Sequence, residues 1–272
     1  MEKIKRLRRI FLKYGLDGYC VPKNDEFFCE YIPENKDRLK FISNFTGSFG
    51  FALILKHKNY LFVDGRYTLQ AKIQSKKLFK ILTFPNKFPS DILNKRELKI
   101  GYDPKLHTKK NIKIFFNKTN CKLIPIEDNL IDRIWNRNKK DNVKKFYVLP
   151  KKVAGLSHSL KIKKLVYQLR SQKRNFQLIT SSENIAWLLN IRGNDSKFTP
   201  VPNALLTIDT LKKIYLFCNL KKINLSFKKK FNHIKFVDIK DIDIYLKRIK
   251  NKKILLDVDT CSLHFENILK KN

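Results

Sequence analysis

Glycine and proline are scarce in this 272-residue chain, at 8 and 9 residues, which excludes collagen-like and low-complexity architectures. Long apolar runs are missing. No stretch reaches the roughly 18 uninterrupted apolar residues of a membrane span. The basic start Met1-Glu2-Lys3-Ile4-Lys5-Arg6 continues into Leu7-Arg8-Arg9-Ile10, which lacks the apolar run of a signal peptide, so the cytoplasm is the expected location. The five cysteines (Cys20, Cys29, Cys121, Cys218, Cys261) form an odd, scattered set with no C-x-x-C pair. That pattern fits a reducing compartment and structural thiols rather than a disulfide framework. What is plentiful is apolar side chain: 43% of residues are hydrophobic and 12% aromatic, enough to offset ordering entropy and form a globular core. At 32.4 kDa the length suits two domains better than one.

Acidic residues are outnumbered, 24 Asp and Glu against 59 Lys and Arg, leaving a formal charge of +35. Such a balance points first to nucleic acid or an anionic surface. The lysines, however, are spread along the chain in short pairs such as Lys76-Lys77, Lys139-Lys140 and Lys252-Lys253, and no tail or single helix face collects them. With the accompanying excess of Asn, Ile and Phe, this is the residue bias an AT-rich genome produces at tolerant surface positions. Genome bias is the preferred reading; nucleic-acid binding is retained as an alternative.

The pattern along the chain alternates helix and strand. Ile4, Leu7, Ile10 and Phe11 fall at helical spacing, and Gly15 sits where a left-handed cap would end that helix. Gly18 to Pro22 reads as a buried strand, Phe51 to Lys56 and Tyr60 to Val63 as a hairpin, and Tyr67 to Gln74 as helix. Strands at Phe79 to Thr83, Leu98 to Tyr102 and Lys122 to Pro125 complete the first half. The stretch from Trp135 to Lys152 turns polar and basic, so domains are expected at 1–136 and 153–272 with a linker at 137–152. Beyond it, Ser157 caps a helix to Gln172, followed by strand Phe176 to Thr180, helix Glu183 to Leu189, loop Arg192 to Pro202 and a hairpin from Asn203 to Asn219. The order repeats: Gly18 to Val21 matches Gln177 to Thr180, Phe45-Thr46-Gly47 matches Ile191-Arg192-Gly193, and Ala52 to Leu55 matches Ala204 to Thr207. Two diverged copies of one α/β unit are expected.

Catalytic constellations are thin. His57, His107, His158, His233 and His264 are dispersed, with no H-E-x-x-H, and are read as exposed polar residues rather than metal ligands. Asp257-Val258-Asp259 and Cys261-Ser262-Leu263-His264 are read as a strand end and a helix cap. There is no P-loop and no G-x-S-x-G elbow. The sharpest feature is Leu61-Phe62-Val63-Asp64-Gly65-Arg66-Tyr67, an apolar strand ending in Asp-Gly-Arg before a helix. Strand ends present ligand-binding groups in α/β folds, and Arg can hold a carboxylate bidentately, so Arg66 is a candidate ligand contact. The competing reading makes Asp64 a helix cap and Arg66 a surface charge. Trp187 to Asp195 carries the same ambiguity.

Several of these residues together resemble a family. Val21-Pro22 with Asp25, Glu30-Tyr31-Ile32, Arg38, Phe41 to Ser48, and Asp64-Gly65-Arg66-Tyr67 with Leu69-Gln70-Ala71 resemble the first domain of cytosolic three-domain aminopeptidase P, the Xaa-Pro aminopeptidase of the creatinase and prolidase superfamily. Gly101-Tyr102-Asp103-Pro104, Asn129 to Asp132 with Ile134-Trp135, Ala154 to Ser157, Ile185 to Asp195 and Pro200-Val201 are similar to its later markers.

The resemblance implies two tandem creatinase N-terminal-like α/β domains, each a mixed β-sheet flanked by helices. It also implies a third, catalytic pita-bread domain, beyond Asn272, whose two Asp, one His and two Glu hold a pair of metal ions, usually manganese, for hydrolysis of the bond before proline. None of those five ligands is assignable here. The chain is therefore expected to bind no cofactor and to be inactive alone, an N-terminal part that shapes the substrate entrance and supports a homodimer. By motif match Arg66 is the one residue carried over, as a contact to the bound peptide; Asp64, Gly65 and Tyr67 are its support. The alternative is a standalone creatinase-like pair with a binding or regulatory role.

Overall fold

The computed structural model describes residues 1–93, 96–137 and 143–271. The centre of the expected linker, 138–142, lies outside them. The chain divides into two compact units, Met1–Glu26 with Glu34–Lys139, and Phe27–Pro33 with Lys140–Asn272.

In the first unit the elements run α1 (Glu2–Lys13), β1 (Gly18–Pro22), α2 (Arg38–Ser43), β2 (Gly50–Leu55), β3 (Asn59–Val63), α3 (Thr68–Ser75), β4 (Lys80–Thr83), α4 (Ser90–Leu93), β5 (Lys99–Tyr102), α5 (Lys109–Phe115), β6 (Lys122–Pro125) and α6 (Leu130–Ile134). The six strands form one mixed sheet in the order β4-β3-β2-β1-β5-β6. β1–β2 and β2–β3 are antiparallel, and β3–β4, β1–β5 and β5–β6 parallel. β1 is buried along its whole length, as expected of a central strand covered on both faces. α1 lays Ile4, Leu7 and Phe11 onto the core and ends beside Gly15 at φ +66°, the left-handed position its sequence foreshadowed. On the other side of the sheet Phe51 stacks on its β3 partner Phe62 at 4.5 Å and on Phe115 of α5 at 4.0 Å.

The second unit contains β7 (Tyr147–Val148), α7 (Lys151–Ala154), α8 (His158–Ser171), β8 (Phe176–Ile179), α9 (Ser182–Leu189), β9 (Ile191–Arg192), β10 (Ala204–Asp209), β11 (Ile214–Cys218), α10 (Leu225–Lys230), β12 (Ile234–Asp238), α11 (Ile242–Lys247), β13 (Ile254–Leu255) and α12 (Leu263–Lys270). Its main sheet runs β12-β11-β10-β8-β13, with β8–β10 and β10–β11 antiparallel and the outer pairs parallel. Phe27 and Cys29 belong to a core cluster of this unit, with Leu178, Leu205 and Phe217.

The order of five strands is thus the same in both units, and so is the register. Val63 faces Gly50 on one side and Thr83 on the other, as Cys218 faces Ala204 and Asp238. Asn44 and Asn190 both close a helix in the left-handed conformation. Thr108 and Ser262 both cap the helix that follows the fifth strand of the repeat. The repeat read from sequence is a structural duplication, and each unit is a mixed sheet flanked by helices, but the pairings correct its residue matches: Ala52 corresponds to Leu206 rather than Ala204, and Gly18 to Phe176 rather than Gln177.

Candidate functional site

The Asp-Gly-Arg segment begins where β3 leaves the sheet. Asp64 caps a single 3-10 turn, Gly65–Tyr67, by accepting the Arg66 backbone N–H at 2.9 Å. The same carboxylate takes the guanidinium, with Nη2 donating to Oδ2 at 2.6 Å and Nε to both oxygens at 3.2 Å. These hydrogen bonds hold the Asp64 carboxyl below the usual carboxylate range. The Arg66 side chain is 73% exposed, its guanidinium 5.2 Å from the Tyr67 ring centre. Tyr67 in turn meets Ser48 Oγ at 3.0 Å and packs edge-on against Phe45. Gln70 and Gln74 of α3 donate to Thr46. The Phe45 to Ser48 loop therefore braces the turn that carries Arg66. Nothing crowds a Cβ at Gly65, so close packing does not require glycine there.

Most of the other quoted markers build a buried polar scaffold. Arg38, 4% exposed at its side chain, donates Nε and Nη2 to the two oxygens of Asp132 at 2.8 Å each and Nη2 to Glu26 at 2.7 Å. Arg137 adds Nη2 to Asp132 at 2.8 Å, and Lys36 approaches Glu26 at 3.3 Å. Asn129 caps α6 and donates to Asp103. Burial raises Asp103 to about 6, tempered by the Asn129 hydrogen bond and the Lys105 N–H.

In the second unit Arg192 Nη1 donates to the Ala186 and Ile191 carbonyls, Asp195 accepts the Asn203 N–H and pairs with buried Lys222, and Lys161 donates to Asn190 and to the Trp187 carbonyl. Backbone atoms of Val201 and Pro202 would lie within 3 Å of a Cβ at Gly193. The Trp187 to Asp195 marker is a helix end and its fastening, and Asp257 likewise ties the turn after β13.

Glu26 gives this scaffold an acid signature. Burial by itself would raise its pKa, but Lys36 and Arg38 outweigh that and bring it to about 2. A carboxyl depressed below its unfolded value stabilises the fold above about pH 4.5 and loses that contribution as pH falls toward 2. Solvent reaches about a third of the side chain, so the contribution is about 2 kcal/mol rather than the full shift. Glu26→Gln is expected to lower stability by that amount at pH 7 and to converge with wild type near pH 2. Urea titrations at the two pH values check this, and a constant difference would remove Glu26 from the account.

His57 and His233 are exposed as expected, but His107 corrects the expectation of exposed polar residues. His107 is fully buried, its Nδ1 on the Asp103 carbonyl at 2.9 Å and its Nε2 3.7 Å from the Cys20 thiol, and burial lowers it to about 4. His264 Nε2 meets Asp243 at 2.8 Å. His158 and His233, far apart in sequence, stack in parallel at 5.5 Å. Among the described residues no cluster of three or more His, Cys, Asp or Glu is placed to hold a metal ion, so these residues do not fit the manganese pair that the resemblance implies. None of the described helices is long and apolar enough to cross a membrane.

Comparison with known proteins follows the same division. A family model described as the creatinase/prolidase N-terminal domain matches residues 3–134, and a second model of that description matches 136–272. The chain is 30% identical over 244 residues to a probable Xaa-Pro aminopeptidase P of Laccaria bicolor, covering 86% of this chain and 38% of the relative. It is 34% identical over 221 residues to aminopeptidase P1 of Lotus japonicus, covering 78% and 33%. The chain thus matches about a third of the length of these curated relatives. Its fold is similar, with TM-score 0.86 at 23% identity, to the crystal structure of X-prolyl aminopeptidase from Caenorhabditis elegans, described as a cytosolic enzyme with a di-nuclear active site. That match covers 98% of this chain and 48% of the other.

Proposed function

Since the chain belongs to the creatinase/prolidase N-terminal domain family, which its two halves match one after the other, we propose that it is the N-terminal, non-catalytic part of a metal-dependent Xaa-Pro aminopeptidase. The observation that carries this reading is the ordered pair of family matches, together with relatives named aminopeptidase P that align across both halves. Its work is to shape the substrate entrance and to support a homodimer in the cytoplasm, while a manganese pair in a separate catalytic domain supplies the Lewis acid. No hydrolytic step is assigned to residues 1–272.

Arg66 is the residue proposed to meet the peptide. Its guanidinium stands out from the carboxyl end of β3, and a planar cation of this kind recognises a carboxylate or a peptide carbonyl directionally. Asp64 and Tyr67 hold it in place. A peptide group that binds there exchanges with Asp64 for the same cation rather than burying a new charge.

Purified chain supplied with manganese and an Xaa-Pro peptide is expected to give no turnover, and manganese-dependent cleavage would overturn the non-catalytic assignment. Joined ahead of the remaining length of the Lotus japonicus relative, the chain is expected to support cleavage. In that fusion Arg66→Ala should lower kcat/KM about tenfold, some 1.4 kcal/mol of transition-state stabilisation, with the thermal midpoint unchanged. Unchanged kinetics would make Arg66 a surface charge.

A further inference from the structure

The second unit carries a cleft of about 490 Å³ at the end of its sheet where β11 and β12 begin. Lys213 just ahead of β11, Tyr215 of β11, Lys228 of α10, Asn232 and His233 of the following turn, and Lys235 of β12 line it. No carboxylate is among the described residues lining it. Tyr215 acts most strongly on the Lys213 ammonium, and the carboxylate that acts on it is Asp209, the last residue of β10. Lys213 and Lys235 each bring Nζ to 5.6 Å from the Tyr215 ring centre, which keeps two ammonium groups on one aromatic platform.

The duplication supplies an internal comparison. Tyr60 pairs with Lys80 in the first unit as Tyr215 pairs with Lys235 in the second, so Asn59 and Leu78 stand where Ile214 and His233 stand. In the first unit these positions are tied together: Asn59 Nδ2 donates to the Leu78 carbonyl at 2.8 Å, and Arg8 Nη2 donates to Asn59 Oδ1 at 2.8 Å. In the second, Ile214 can make no such side-chain hydrogen bond, and His233 stacks on His158 instead. Ile214 and His233 both line the cleft. The first unit uses this position as a fastening, and the second leaves it as a lysine-lined recess.

We propose that this cleft is a binding site for a small polyanion carrying two or more phosphates. Lysine ammonium groups bind phosphate as point charges, and three of them from three separate stretches of the chain match a ligand whose charge is distributed along a short chain. The volume lies in the range of small-molecule sites, and the +35 field of the chain raises the local concentration of anions. The proposal goes beyond the aminopeptidase reading and does not depend on it.

The probes are sodium tripolyphosphate and a nucleoside triphosphate, titrated calorimetrically into the 272-residue chain at fixed ionic strength. One-site saturable binding is expected. Lys213→Gln/Lys235→Gln should weaken it at least tenfold, whereas Lys58→Gln/Lys80→Gln, the counterpart positions of the first unit, should leave it unchanged. All four side chains are exposed, so the fold tolerates both variants. Tighter binding of the nucleoside triphosphate would assign the ligand to the nucleotides, and equal binding to the phosphate chain itself. Absence of saturable binding, equal loss in both double variants, or no loss in either would overturn the site. So would affinity for an oligonucleotide that grows with its length and survives Lys213→Gln/Lys235→Gln, because such binding follows diffuse charge.

Discussion

Arg38→Met is expected to destabilise the first unit by about 3 to 5 kcal/mol, the range found when one partner of a buried ion network is removed. Arg38 is a cation shared by Glu26 and Asp132, and its side chain is 4% exposed. Burial works against its charge, and the two carboxylates more than offset that, leaving the guanidinium harder to deprotonate than usual. A methionine of similar length keeps most of the packing but leaves two carboxylates facing each other with less compensation. The cost therefore lies in the stranded anions more than in the lost attraction. Adding Glu26→Gln and Asp132→Asn should accordingly recover part of the loss. Trp135 reports on this unit, since it stacks on Phe41 at 4.7 Å and lies under the Arg137 guanidinium. The measurement is a urea titration of Trp135 emission in a Trp187→Phe background. A midpoint that Arg38→Met leaves unmoved would show the network to be energetically idle.

Phe217→Ala is expected to cost the second unit about 3 to 5 kcal/mol, combining lost transfer energy with the cavity left in a closely packed interior. Phe217 is fully buried on β11, with Tyr245 at 5.0 Å and Tyr215 at 6.3 Å between ring centres. Its cluster includes Leu178, Leu205 and Leu246. Phe217→Leu should cost about 1 to 2 kcal/mol, because it fills most of the same space. The matching readout is Trp187 emission in a Trp135→Phe background. Equal costs for alanine and leucine would mean that the site collapses around either side chain and that the cavity contributes nothing.

Much of the fold was legible because the decisive signals are local. β1, β2, β10 and β11 are nearly continuous apolar runs, which is how strands covered on both faces read. Ser157 announced α8 as its cap, and its Oγ accepts the Leu160 N–H as a cap should. Beyond Asn219 the signal faded. β13 is only two residues long and takes its place by pairing with β8, which no local pattern announces. The Asp-Gly-Arg turn was legible for the same reason as the strands, since a capped turn after an apolar strand is encoded within seven residues. The buried scaffold was not, because Arg38 and Asp132 are 94 residues apart.

By itself the sequence determined the α/β class, the internal duplication, the family and the strand-end position of Arg66. The class, the duplication and the place of Arg66 rest on spacing within one element or on the order of elements along the chain, and the family on the resemblance of its motifs. Only the tertiary structure decided that Arg66 is gripped by Asp64, that Arg38 is ringed by acids, that Phe27–Pro33 joins the second unit, and that a lysine-lined cleft opens where the first unit has a hydrogen-bonded fastening. Those are outcomes of long-range register and burial. A one-residue change of pairing would turn each strand's side chains to the other face, so the partners they meet are set by the whole sheet rather than by their neighbours in the chain.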